Sequence, residues 1–184
     1  MKKIFIVASV LLMCCMFMGC GVKAKLDGTW KSNNVYTEDE YAEFEFEYKD
    51  VPTTSSLPAK QTSTTNMTLT INKDGTFTQE VMYSEKYTVD VEEIEENNGE
   101  EALDNITNIK SLDDYSHSSK YSGTWYYHDS DKVILKTTNS SEQYNDEDPE
   151  EDNNVNYRSA ELVLVDDILF VDFGGGIYEF TKAE

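Results

Sequence analysis

Beyond position 20 the chain has no cysteine: Cys14, Cys15 and Cys20 are all three that it possesses. A domain past that point holds no disulfide and no thiolate metal ligand, whatever its compartment. Basic residues are scarce, 15 against 36 acidic ones, for a formal net charge of −21. Lys2 and Lys3 precede any acid, so the part after Cys20 has 13 basic against 36 acidic residues, or −23. That sign repels phosphate backbones and anionic lipid head groups, which excludes nucleic acid as a partner and a basic-patch membrane contact. Histidine occurs only twice, and no Gly-x-Ser-x-Gly elbow is present, so a nucleophilic triad would rest on one of two loop histidines. No catalytic residue, enzyme activity or cofactor is expected. His117 beside Asp113 and Asp114, or His128 beside Asp129 and Asp131, offers at most a partial zinc set and reads as a solvated loop histidine. Asp146, Glu147, Asp148, Glu150, Glu151 and Asp152 crowd hard oxygens together, but around Pro149 and without the glycine bend of a calcium loop. No metal is expected there.

Long apolar runs are also rare. The one present, residues 4–18, spans 15 positions, where a membrane-crossing helix needs about 20. It follows Met1-Lys2-Lys3 and precedes Gly19-Cys20: a basic start, an apolar stretch and a small residue before a cleavage point. Phe17-Met18-Gly19-Cys20 resembles the lipobox of bacterial lipoproteins. That resemblance implies a signal helix over residues 1–19, removed after Cys20 receives a diacylglyceryl group, and then a lipidated tether over 20–25. Cys14 and Cys15 follow Met13 and Cys14 and fit less well; an uncleaved anchor is the alternative. Two acyl chains, palmitate-like, anchor stably where one is marginal. The expectation is a lipid-anchored protein on the extracytoplasmic face of the cell membrane, its domain within about 20 Å of the bilayer at the reach of an extended tether.

What is plentiful is aromatic side chains, 12 Tyr, 8 Phe and 2 Trp, more than a disordered acidic chain carries. They alternate with polar residues. Phe44, Phe46 and Tyr48 fall on one side of a period of two, and Glu43, Glu45 and Glu47 on the other, which predicts a strand over 41–48. Residues 50–66, rich in Thr and Ser with Pro52 and Pro58, read as a loop. A hairpin follows, 67–71 and 76–83, turning at Asn72-Lys73-Asp74-Gly75. A strand is predicted over 86–94, then an acidic loop near 95–118, with a short helix an alternative over 100–109. A second hairpin covers 121–137, an acidic loop lies near 139–156, and three strands close the chain at 160–165, 168–173 and 177–181. Nine or ten short strands in up-and-down order predict an all-β fold over 26–184: an antiparallel barrel, which removes exposed edges, or a two-sheet sandwich.

Leu26-Asp27-Gly28-Thr29-Trp30 recurs as Tyr121-Ser122-Gly123-Thr124-Trp125. Together with Leu69-Thr70-Ile71, Asp74-Gly75-Thr76-Phe77 and Tyr178-Glu179-Phe180, this order resembles the bacterial lipocalin-like lipoproteins, a calycin-type family. The resemblance implies a lipocalin-like barrel and a small apolar or amphipathic ligand. In lipocalins a later Arg packs on the opening Trp; the single Arg here is Arg158. Trp30 and Trp125 need only be barrel plugs, ring buried and indole N–H on a carbonyl. The expected partners are the membrane, through the anchor, and a small hydrophobic ligand, with the domain a monomer. The alternative is an envelope interaction module with a solid core that binds a protein or wall polymer.

Overall fold

The computed structural model describes residues 25–98, 103–104, 106–128, 133–145, 147–152, 159–173 and 176–183. Cys20, Arg158 and the expected signal helix lie outside them. The strands are β1 (Gly28–Tyr48), β2 (Val51–Ile71), β3 (Thr76–Val89), β4 (Ile106–Ser111), β5 (Tyr115–Tyr127), β6 (Val133–Tyr144), β7 (Glu150–Asp152), β8 (Ser159–Val165), β9 (Ile168–Asp172) and β10 (Ile177–Lys182), and a helix, α1 (Val91–Asn98), lies between β3 and β4. All pairings are antiparallel, in the order β10-β9-β8-β6-β5-β3-β2-β1, and β10 returns to β1. Eight strands thus close a barrel, and no sandwich forms. β4 adds to the far end of β1 and β7 to the outer edge of β6.

Closure rests on little. β1 and β10 share only Trp30↔Lys182 and Lys31↔Thr181, extended by Ala183 N–H on the Thr29 carbonyl at 2.8 Å. Inside lie Trp30, Leu69, Ile71, Phe77, Leu135, Leu162, Leu169, Val171 and Phe180, each at most 1% exposed. They alternate with outward residues along every strand, as a closed sheet with one wet face requires.

Only the first few residues of β1 belong to the barrel. β1 and β2 pair without interruption from Gly28↔Ile71 to Tyr48↔Val51, a 21-residue ribbon about 70 Å long at strand rise. Beyond the barrel the ribbon carries a second apolar cluster: Ala42, Phe44, Phe46 and Ala59, packed by Leu57, Tyr87, Val89 and Ile106. Asp90 starts α1 there, its carboxylate accepting the Glu93 N–H (3.3 Å) and pairing with Lys60 Nζ (3.1 Å).

Three segments differ from the sequence expectation. Of residues 50–66, all but Asp50, which lies in the β1–β2 turn, form the start of β2, not a loop. Their Thr residues are β-branched and suit a strand, and the prolines do not interrupt the ladder. The Pro58 carbonyl accepts the Asp90 N–H at 2.9 Å, so Pro58 turns its amide edge away from β1; Pro52, an even number of residues away, does the same. The strand expected over 86–94 ends at Val89 and gives way to α1, and the expected loop near 95–118 contains β4 and the start of β5. The expected loop near 139–156 begins as the end of β6 and folds back as β7 on Ser140, Ser141 and Glu142.

Candidate functional site at the barrel mouth

The barrel is solid at one end. The Trp30 ring is buried there, its indole N–H donating to the Leu26 carbonyl at 2.8 Å, with Lys182 Nζ 5.4 Å from the ring centroid. Arg158 lies outside the described residues, so this lysine is the cation seen on the opening tryptophan. Trp125 donates its indole N–H to the Asn72 carbonyl at 2.9 Å, beneath the 72–75 turn, where Gly75 takes φ +89°.

The other end opens into a cavity of about 260 Å³. Met67, Phe77, Val81, Leu135, Ala160 and Phe173 form its apolar wall; Gln79, His117, Ser119, Tyr121 and Thr137 add polar groups. Gln79 is only 7% exposed, lies against this cavity, and its amide makes no hydrogen bond to a described residue. An unpaired amide on the wall of an open cavity is free to take hydrogen bonds from water or from a ligand there. A wider concavity of about 630 Å³ lies on the outer face, among Thr68, Thr70, Thr78 and Ser122, crossed by the Lys120–Glu80 ion pair at 3.0 Å. Its walls are mostly hydroxyls and charges on an open, solvent-facing surface.

A bulge arranges the rim. Ser122 pairs with Asn139 but Gly123 pairs with Thr137, so Thr138 is an extra residue in β6. That single insertion reverses which side chains of β6 face inward: Val133, Leu135 and Thr137 before it, Glu142 and Tyr144 after it. Gly123 allows the approach, because a Cβ there would lie 2.0 Å from the Lys136 carbonyl oxygen.

Tyr144 consequently stacks on His117, with centroids 4.5 Å apart and planes 24° apart, and it approaches Tyr115 at 6.5 Å. Tyr115 meets Tyr83 edge-on at 6.3 Å. Two carboxylates brace these rings. Glu142 accepts the Tyr144 hydroxyl at 3.1 Å and stands 4.0 Å from His117 Nε2; Glu85 accepts the hydroxyls of Tyr83 and Tyr87. The hydrogen bonds to Glu85 and Glu142 raise the pKa of Tyr83 and Tyr144 above the ordinary phenol value, which keeps both as donors. His117 Nε2 also lies 3.2 Å from Ser119 Oγ.

His117 therefore sits on a strand, not in a solvated loop, and its neighbours Asp113 and Asp114 do not turn to it. Their carboxylates accept the backbone N–H groups of Glu43 (2.7 Å) and Tyr87 (3.0 Å). His128 follows the end of β5 and is exposed, and Asp129 and Asp131 lie outside the described residues. Among the described residues no group of three His, Cys, Asp or Glu side chains is placed to hold a metal. Sequence reasoning missed Gln79, His117, Ser119 and Tyr144 as cavity and rim residues. The signal present was the unbroken period of two through Tyr115, His117, Ser119 and Tyr121 into Trp125. The sequence matches no protein-family model, and no curated protein matches it.

Proposed function

We propose that the protein is an exported lipoprotein, anchored through a diacylglyceryl group on Cys20, whose lipocalin-like barrel binds a small amphipathic molecule at its mouth. The observation that carries the binding half is the mixed cavity of about 260 Å³, apolar on Met67, Phe77 and Leu135 and ending on the unpartnered Gln79 amide. Pockets for drug-sized ligands run to about 300–1,000 Å³, so the ligand is about the size of one ring with a short polar arm. The leader supports the anchoring half: a basic start, one apolar run and Gly19 before Cys20. The role is binding without chemistry.

Titrating the full chain with a panel of one-ring fragments tests the first half. Saturable binding that Ala160→Phe abolishes supports it, and binding unaffected by that filling substitution refutes it. Mass spectrometry of Cys20 tests the second: a diacylglyceryl thioether supports it, and an intact leader with a free thiol refutes it.

One observation favours a second reading, an interaction module. Val35, Tyr36, Tyr41 and Val51 stand along the β1–β2 ribbon, all at least 60% exposed. Polar substitution of Tyr36 and Tyr41 would weaken partner capture under that reading and leave fragment binding untouched.

A further inference from the structure

We infer that the ligand of the barrel mouth is a small organic cation, an ammonium carried on an apolar body. The inference rests on the mouth being the binding site and adds the chemistry of what enters it. The first support is the rim. Tyr83, Tyr115, Tyr144 and His117 form a continuous run of rings above the cavity, and Glu85 and Glu142 hydrogen-bond their hydroxyls. A phenol that donates to a carboxylate gains electron density in its ring, which strengthens the attraction of its face for a cation.

The second support is which charges face inward. Alternation places Glu85 and Glu142 on the cavity side of β3 and β6, and sends Lys60, Lys86 and Lys120 to the opposite face of β2, β3 and β5. Among the described residues, β1, β2, β3, β5 and β6 direct no Lys or Arg to the cavity side. Among the described residues of these strands, a carboxylate or phosphate ligand finds rim carboxylates and no counter-charge. An ammonium at the mouth lies near ring faces and in the field of the rim carboxylates, within a chain whose net charge of −21 concentrates cations around it.

Gln79 supplies the third support, independent of the acidic residues. It is more than nine-tenths buried, unpartnered, and on the cavity wall beneath the rim, so a ligand whose apolar body fills the cavity lies beside a free amide carbonyl. That oxygen can accept from an ammonium N–H, although the same amide's NH2 can equally donate, so the selection for charge rests on the rim.

The experiment is isothermal calorimetry of the full chain in a neutral maltoside detergent with three near-isosteric probes, benzylamine, benzyl alcohol and benzoate, at low and high salt. Benzylamine is expected to bind at least tenfold tighter than benzyl alcohol, with benzoate weakest and the preference shrinking as salt rises. Glu85→Gln and Glu142→Gln, singly, are expected to weaken benzylamine severalfold and to leave benzyl alcohol within twofold, which separates lost charge from lost folding. Equal or better binding of benzyl alcohol overturns the cation and leaves the mouth as a neutral site. A benzylamine affinity indifferent to both glutamates also overturns it. Failure of all three probes to saturate overturns the binding mouth as well.

Discussion

The Lys182 ammonium stands 5.4 Å from the centre of the Trp30 ring, and these two residues are also register partners in the short ladder that closes the barrel. Lys182 Nζ further donates to the Lys25 carbonyl at 3.2 Å, tying the chain that leads into the barrel to the strand that ends it. Replacing Lys182 by Met keeps the alkyl stem and removes the charge. The expected loss is about 0.5–1 kcal/mol, the worth of an exposed cation–π contact, read from the urea midpoint. A variant as stable as the parent would mean that the contact is incidental to closure.

The Tyr127 hydroxyl is buried with no hydrogen-bond partner among the described residues, and burial raises its pKa. Its ring packs edge-on against Trp125 at 5.7 Å and carries the contact alone. Tyr127→Phe is therefore expected to leave thermal stability unchanged or raise it by up to about 1 kcal/mol, since an unmet desolvation cost disappears. A clear loss of stability would show that the hydroxyl has a partner.

Asp90 couples the outer cluster to pH. Its hydrogen bond with Lys60 lowers its pKa from the ordinary carboxylate value, and the same bond raises that of Lys60. A group whose pKa is depressed by folding contributes stability that is present above its unfolded value and lost as pH falls through the folded one. The ribbon end should thus loosen below about pH 4, the range where free carboxylates protonate. Asp90→Asn keeps an N-cap and should flatten that part of the acid limb, measured as hydrogen exchange of α1 amides against pH. An unaltered acid limb would count against the pair.

Gly123 and the bulge at Thr138 predict a localised failure. A Cβ at position 123 meets the Lys136 carbonyl oxygen at 2.0 Å, so strand β5 or β6 must shift. Gly123→Ala is expected to cost about 1–3 kcal/mol, as overpacking does, and to disturb Tyr144 amide and ring signals beyond the bulge. A silent substitution would show that the bulge is compliant.

The strands at Glu43 to Tyr48, the hairpin turning at Gly75 and the Asp166-Asp167 turn were all legible, because alternation and turn chemistry are local. Asp166 and Asp167 take φ of +48° and +67°, the paired positive values of a two-residue hairpin. Lys49 and Asp50 do the same at +50° and +62°, but the Thr-, Ser- and Pro-rich stretch beyond them reads as loop and concealed both the turn and β2. The site was less legible than the fold. The sequence around His117 is polar and looks like loop, although its period of two runs on from Trp125; Tyr144 and Glu142 are turned inward only by one inserted residue in β6. That reversal has no local signature.

The binding mouth itself is tested most directly by methyl NMR of the full chain labelled at Met and Leu, titrated with a one-ring amphiphile. The Met67 and Leu135 methyls, on the cavity wall, should shift saturably, while Leu57 in the outer cluster stays still. Ala160→Phe should remove the shifts. Methyls that fail to saturate, or that move identically in the filled variant, would contradict a ligand in the barrel.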